Sequence, residues 1–86
     1  MQPVHLHRVN AESNMARFYR VDIAPTLFGE VSVLRSWGRI GSHGRTRIET
    51  CATAEEAETA AAITLRQKAQ RGYVAALWMR ASDLSG

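Results

Sequence analysis

Cysteine is almost missing from this chain. Its 86 residues hold one, Cys51, which excludes an internal disulfide and fits a reducing compartment. Lysine is as scarce: ten of the eleven basic residues are Arg, and Lys68 is the exception. No apolar run approaches the roughly 18 residues of a membrane span. The opening MQPVHLHRVNAE lacks the hydrophobic stretch of a secretion signal, so the expected setting is the cytoplasm of a bacterium. No Ser/His/Asp, Cys/His or paired-carboxylate set is visible, which argues against an enzyme, and nothing implies a cofactor. His5 and His7 lie two apart and share a strand face, but no third metal ligand accompanies them.

What is present is a mildly basic, ordinarily globular composition. The net charge is +3, with 45% hydrophobic and 22% charged residues. Such a length suits one small domain with a thin core, read here as residues 1–86 with a core of about 4–74 and a tail of 75–86. The basic residues are unevenly placed. Between Glu30 and Glu49 the chain carries Arg35, Arg39, Arg45 and Arg47 with no acid among them, together with Trp37, Gly38, Gly41, His43 and Gly44. Arg meets phosphate bidentately and stacks on flat groups, and an aromatic beside it offers a stacking platform. Gly38-x-x-Gly41-x-x-Gly44 lacks the Lys-Ser/Thr of a P-loop and reads as turn geometry.

Periodicity supplies the elements. Residues 4–9 alternate loosely and suit an edge strand. Residues 16–24 alternate well, with Tyr19, Val21 and Ile23 on one face and Phe18, Arg20 and Asp22 on the other. Pro25 ends that run, and Thr26 to Gly29 turns the chain. Residues 30–37 place Val31, Val33, Arg35 and Trp37 on one face; 38–44 form a turn; 45–51 form the next strand, with Arg45 and Arg47 together. The spacing then predicts a helix over 54–71. Thr53 and Glu56 form a capping box, acids load its first turns, Arg66, Lys68 and Arg71 its last, and Gly72 caps it. Ala57, Ala61, Leu65 and Ala69 make a stripe of mostly small side chains, and Ile63 falls near the opposite face. After the helix, Tyr73, Val74 and Leu77-Trp78-Met79 suit a short strand or a tail that packs back. The fold class is α+β: an antiparallel sheet of four to five strands carrying one long helix.

The Trp37-Gly38-Arg39 run resembles the signature of the WGR domain. With it, five blocks resemble that family in order: Asn14-x-x-Arg17-Phe18-Tyr19; Leu27-Phe28-Gly29; Trp37 to Gly41 with Gly44; Ala57 in the helix; and Lys68 with Arg71-Gly72-Tyr73, over about residues 4–74. The chain departs from the pattern at Ala61, where relatives often carry a large apolar residue. The resemblance implies a non-catalytic module. Similar domains in poly(ADP-ribose) polymerases help to bind broken DNA, with the Trp against a sugar and basic residues at phosphates. Carried to this chain, the implied partner is DNA, with RNA left open. The implied contacts are Arg35, Trp37, Gly38, Arg39, His43, Arg45 and Arg47. The alternative is a protein-interaction module or accessory subunit that uses Ile63 and the apolar tail around Trp78, for a partner or for self-association.

Overall fold

The computed structural model describes residues 2–76. Four strands come first: β1 (Val4–Asn10), β2 (Met15–Pro25), β3 (Val31–Arg39) and β4 (Arg45–Cys51). Helix α1 (Ala54–Gln70) and a two-residue strand β5 (Val74–Ala75) follow. They form one antiparallel sheet in the order β4-β3-β2-β1-β5 with a helix packed on it. The expected α+β class and single long helix hold. Two details differ. The first strand is not an edge, because β5 pairs Leu6 and His7 from the far side. The second strand runs through Pro25, which pairs with Val31 at the hairpin end. Gly38 and Arg39, placed in a turn by the glycine pattern, are still strand.

The β1–β2 turn is built by two asparagines. Asn10 Oδ1 accepts N–H groups of Glu12 and Ser13, and Asn14 takes φ +51°, a left-handed value that Asn tolerates. The register then follows from period-two pleating. On the helix-covered face Leu6, Tyr19, Trp37 and Arg45 stand in one row, and Val4, Val21, Arg35 and Arg47 in the next. The other face carries His5, His7, Phe18, Arg20, Leu34 and Ile48, so His5 and His7 do share a face. No described helix covers it.

The helix approaches β2, β3 and β4 through small side chains. Ala57 and Ala61 are fully buried against Val21 and Val33, and Thr64 is buried beside them. The expected stripe therefore turns after Ala61 towards Thr64, while Ala69 is exposed and Leu65 only partly buried. Thr53 Oγ1 accepts the N–H of Glu56, and the Glu56 carboxylate reaches back to the N–H of Ala52. At the far end the N–H of Gly72 bonds the carbonyl of Ala69 and that of Tyr73 the carbonyl of Lys68, a Schellman closure. Leu77, Trp78 and Met79 lie outside the described residues. Among the described residues no helix is long and apolar enough to cross a membrane.

One close approach sets the β3–β4 hairpin. A Cβ on Gly44 would stand 2.2 Å from the Trp37 carbonyl oxygen and 2.8 Å from Phe18 Cζ; one on Gly38 would stand 2.7 Å from Gly44 Cα. Gly44 also takes φ +69°, where a side chain is strained. Substituting Gly44→Ala is expected to lower the unfolding free energy by about 1–3 kcal/mol. Ser42→Ala removes only an exposed hydroxyl bond to the Arg39 carbonyl. It should cost less than about 1 kcal/mol. Urea titration of both variants checks this, and equal losses would contradict it.

Candidate functional site

Between α1 and strands β3 and β4 lies a groove of about 690 Å³, lined among others by Tyr19, Arg35, Trp37, Arg47, Thr64 and Lys68. Trp37 forms part of its floor. The indole is half-buried, packs on the core and stacks on Tyr19 with ring centroids 6.0 Å apart and planes 16° from parallel. Tyr19 is itself held edge-on by Tyr73 at 6.2 Å. Lys68 Nζ lies 4.5 Å from the centre of the Tyr19 ring and 5.6 Å from that of Tyr73, in cation–π geometry. The floor is thus aromatic, braced and topped by a cation.

Electrostatics agree with this packing. Burial pushes the Tyr19 phenol above its ordinary range, partly offset by the charges of Arg35 and Arg47. Lys68 is pushed down, first by burial and then by the charge of Arg71.

The four arginines of the central run divide into two kinds. Arg35 is committed inside the protein. Its side chain is only 14% exposed; Nε donates to Thr64 Oγ1 at 3.0 Å and Nη1 to Glu49 Oε1 at 2.9 Å. The Thr64 hydroxyl in turn donates to the Ala60 carbonyl at 3.2 Å. Arg35 therefore ties β3 to both α1 and β4 beside the aromatic floor. Arg39, Arg45 and Arg47 are exposed and form no ion pair among the described residues. The acids that could have bound Arg39 are engaged elsewhere: Glu49 with Arg35 and Asp22 with Arg20. Gly38 lies in the hairpin neck behind Trp37, and His43 is exposed at the tip.

Register adds residues that the central run does not contain. Arg17 pairs with Arg39, and Arg8 pairs with Arg17, so three arginines cross β1, β2 and β3 in one row on the face of Trp37. The row continues towards the helix exit, since a Cβ on Gly72 would stand 3.4 Å from Arg8 Nε. The signal for Arg17 was within reach, because it shares the period-two face of Tyr19 and Val21. Arg8 and Lys68 needed the strand order and the helix phase. Among the described residues, no group of three or more His, Cys, Asp or Glu is disposed to hold a metal ion. Cys51 is half-buried at the sheet end, with its thiol pushed up by burial and by the carboxylates of Glu49 and Glu56.

Comparison with known proteins gives the same constellation a family. The family model of the WGR domain matches residues 2–77. This chain belongs to the WGR-domain family. A relative from Sinorhizobium fredii, named "Uncharacterized protein y4dW", is 42% identical over 74 residues. The match covers 84% of this chain but 36% of the relative, so the chain spans about a third of that protein's length. No solved structure matches. The W-G-R run of the family is thus the end of a strand here, with Trp37 and Arg39 facing the helix side and Gly38 packed under Phe18.

Two outcomes follow from this division of roles. Arg35→Ala should lower stability by about 1–3 kcal/mol through the lost charged hydrogen bonds, whereas Arg39→Ala should stay within about 0.5 kcal/mol. Urea unfolding of the two variants measures this, and indistinguishable losses would refute the assignment. Cys51, with a raised thiol, should react with iodoacetamide at neutral pH more slowly in the folded chain than in urea. Equal rates would show that its surroundings do not hold the thiol protonated.

Proposed function

We propose that this WGR domain is a non-catalytic nucleic-acid-binding module, with DNA as its first ligand and little sequence preference. The observation that carries the reading is the braced Trp37–Tyr19 floor set among cations on one face: Arg17, Arg39, Arg45 and Arg47 from the strands and Lys68 from the helix. A sugar or unpaired base stacks on the open part of Trp37, and the phosphates on either side meet the guanidinium groups. The hydrogen bonds go to the backbone of the nucleic acid, so they position the module and read no base edge. Arg35 and Gly38 serve by holding Trp37 in place, and His43 lies at the rim. Nothing in this arrangement pairs a nucleophile with a base, so the reading is binding and not catalysis.

The arrangement fixes what a titration should give. Engaging about four phosphates makes log K fall with log salt at a slope near −3 to −4 on duplex DNA. Arg39→Ala should reduce the slope by about 1 without loss of stability. Trp37→Ala should weaken binding by about 1–3 kcal/mol if a base stacks there. Fluorescence-anisotropy titration of labelled duplex, nicked and single-stranded DNA, and of an RNA of the same sequence, at several salt concentrations reads these quantities. Circular dichroism confirms that each variant is folded. Binding indifferent to salt, or unchanged in folded Trp37→Ala and Arg39→Ala, would overturn the reading.

A further inference from the structure

The end of the sheet opposite the arginine row has the reverse character. There Val31 pairs with Cys51, and the helix begins with Glu55 and Glu56. From this end the β2–β3 turn projects Leu27 and Phe28, which are 97% and 86% exposed. Two adjacent large apolar side chains so exposed are unusual for a surface that meets only water. Nor is the turn a loose loop. The N–H of Thr26 bonds the Glu30 carbonyl at 2.9 Å, the N–H of Phe28 bonds Thr26 Oγ1 at 3.2 Å, and Gly29 takes φ +82° to close it. The two side chains are held out on an ordered support, so little conformational freedom is lost when they are covered.

What covers them is limited by charge. Glu30 is exposed beside the pair and forms no ion pair among the described residues, and the helix start adds more acid. Phosphate is repelled there. Two such turns meeting tip to tip would oppose their own Glu30 carboxylates. The same chain does offer a fitting surface. The groove at Trp37 has an aromatic floor, a lip from Ile63 at 49% exposure, the cations Arg47 and Lys68, and one carboxylate, Glu49, that is already bonded to Arg35. An apolar pair with an adjoining carboxylate matches an aromatic floor with adjoining cations in both respects.

We propose that the Leu27–Phe28 turn of one molecule docks in the Trp37 groove of a second copy, with Glu30 against Arg47 and Lys68. The contact is heterologous, so it closes into a reciprocal pair or continues as a short chain. A two-residue turn and its flanks cover far less than the roughly 800 Å² per partner of a standard interface, so the association is weak and concentration-dependent. It occupies the groove proposed above for nucleic acid, and the two occupants exclude each other. The proposal stands on the turn and the groove alone and does not require nucleic-acid binding.

Sedimentation velocity of the full chain, from micromolar to near-millimolar concentration at low salt, tests it. The weight-average mass should rise above the monomer in the wild type and stay at the monomer in Phe28→Ser. Phe28 is in an exposed turn, so that variant folds. Glu30→Lys should also remain monomeric, and Glu30→Lys combined with Arg47→Glu should recover association. Duplex DNA added to the wild type should displace the self-association, the chain then sedimenting as a protein–DNA complex. A wild type that stays monomeric throughout, or a Phe28→Ser chain that associates equally, overturns the proposal. A monomer that binds DNA overturns this inference alone; a self-associating chain that ignores DNA overturns only the nucleic-acid reading.

Discussion

The molecule depends on a three-residue pairing between its two central strands. Arg17, Phe18 and Tyr19 of β2 face Arg39, Gly38 and Trp37 of β3. Each pair does a different thing. Tyr19 and Trp37 stack and make the floor of the groove. Phe18 fits on the opposite face only because Gly38 and Gly44 bring no side chain there. Arg17 and Arg39 place two guanidinium groups side by side, an arrangement that like-charge repulsion disfavours in the free protein. A slip of one residue would move Trp37 to the uncovered face and disperse the basic row. The glycine neck, with its backbone-to-backbone contact, is what makes such a slip sterically costly.

Above this pairing, the helix decides how much of the floor is open. Ala57 and Ala61 let it sit close over Val21 and Val33, so the core is shallow and built from small side chains. Further along, Thr64 and Lys68 replace alanine. Thr64 takes a hydrogen bond from Arg35, and Lys68 settles over the Tyr19 ring. The helix therefore rests on the sheet at its start and borders a polar groove towards its end. The small, fully buried Ala61 fits this low seat. Stability and site are thus spatially graded along one helix. A chain of this size has little apolar area to spare, so an internal charged tie such as Arg35 to Thr64 and Glu49 contributes a larger share than it would in a bigger domain.

Much of this was legible in the residues, and the reasons are physical. The alternation in β2 and β3 and the Thr53–Glu56 cap gave the strands and helix to within a residue or two, because pleating and capping are local. Period two groups Arg35 with Trp37 and Arg45 with Arg47, and the hairpin register puts all four on one face. The division of labour among them did not. Whether an arginine points into a neighbour or into water depends on what packs above it, and the partner of Arg35, Thr64, is 29 residues away. β1 reads as an edge from its weak pattern, yet β5 covers it; the short strand expected after the helix forms at Val74–Ala75, and so short a pattern does not say which strand it joins. The Arg8–Arg17–Arg39 row needed strand order, which local spacing does not encode. The Leu27-Phe28-Gly29 block reads from the sequence as a turn, and only the structure shows its two apolar side chains held out in the open.

In the proposed function the Trp37 face receives the nucleic acid. Its most direct test is a ¹H–¹⁵N correlation titration of the labelled chain with a short unlabelled DNA duplex. The predicted result is that the Trp37 indole N–H and the backbone amides of Arg17, Arg39, Arg45 and Lys68 shift together and saturate at one ratio. The amides of His5, Asp22 and Leu34, whose side chains lie on the uncovered face, should move least. Shifts confined to that face, or spread evenly over the chain, would contradict the account.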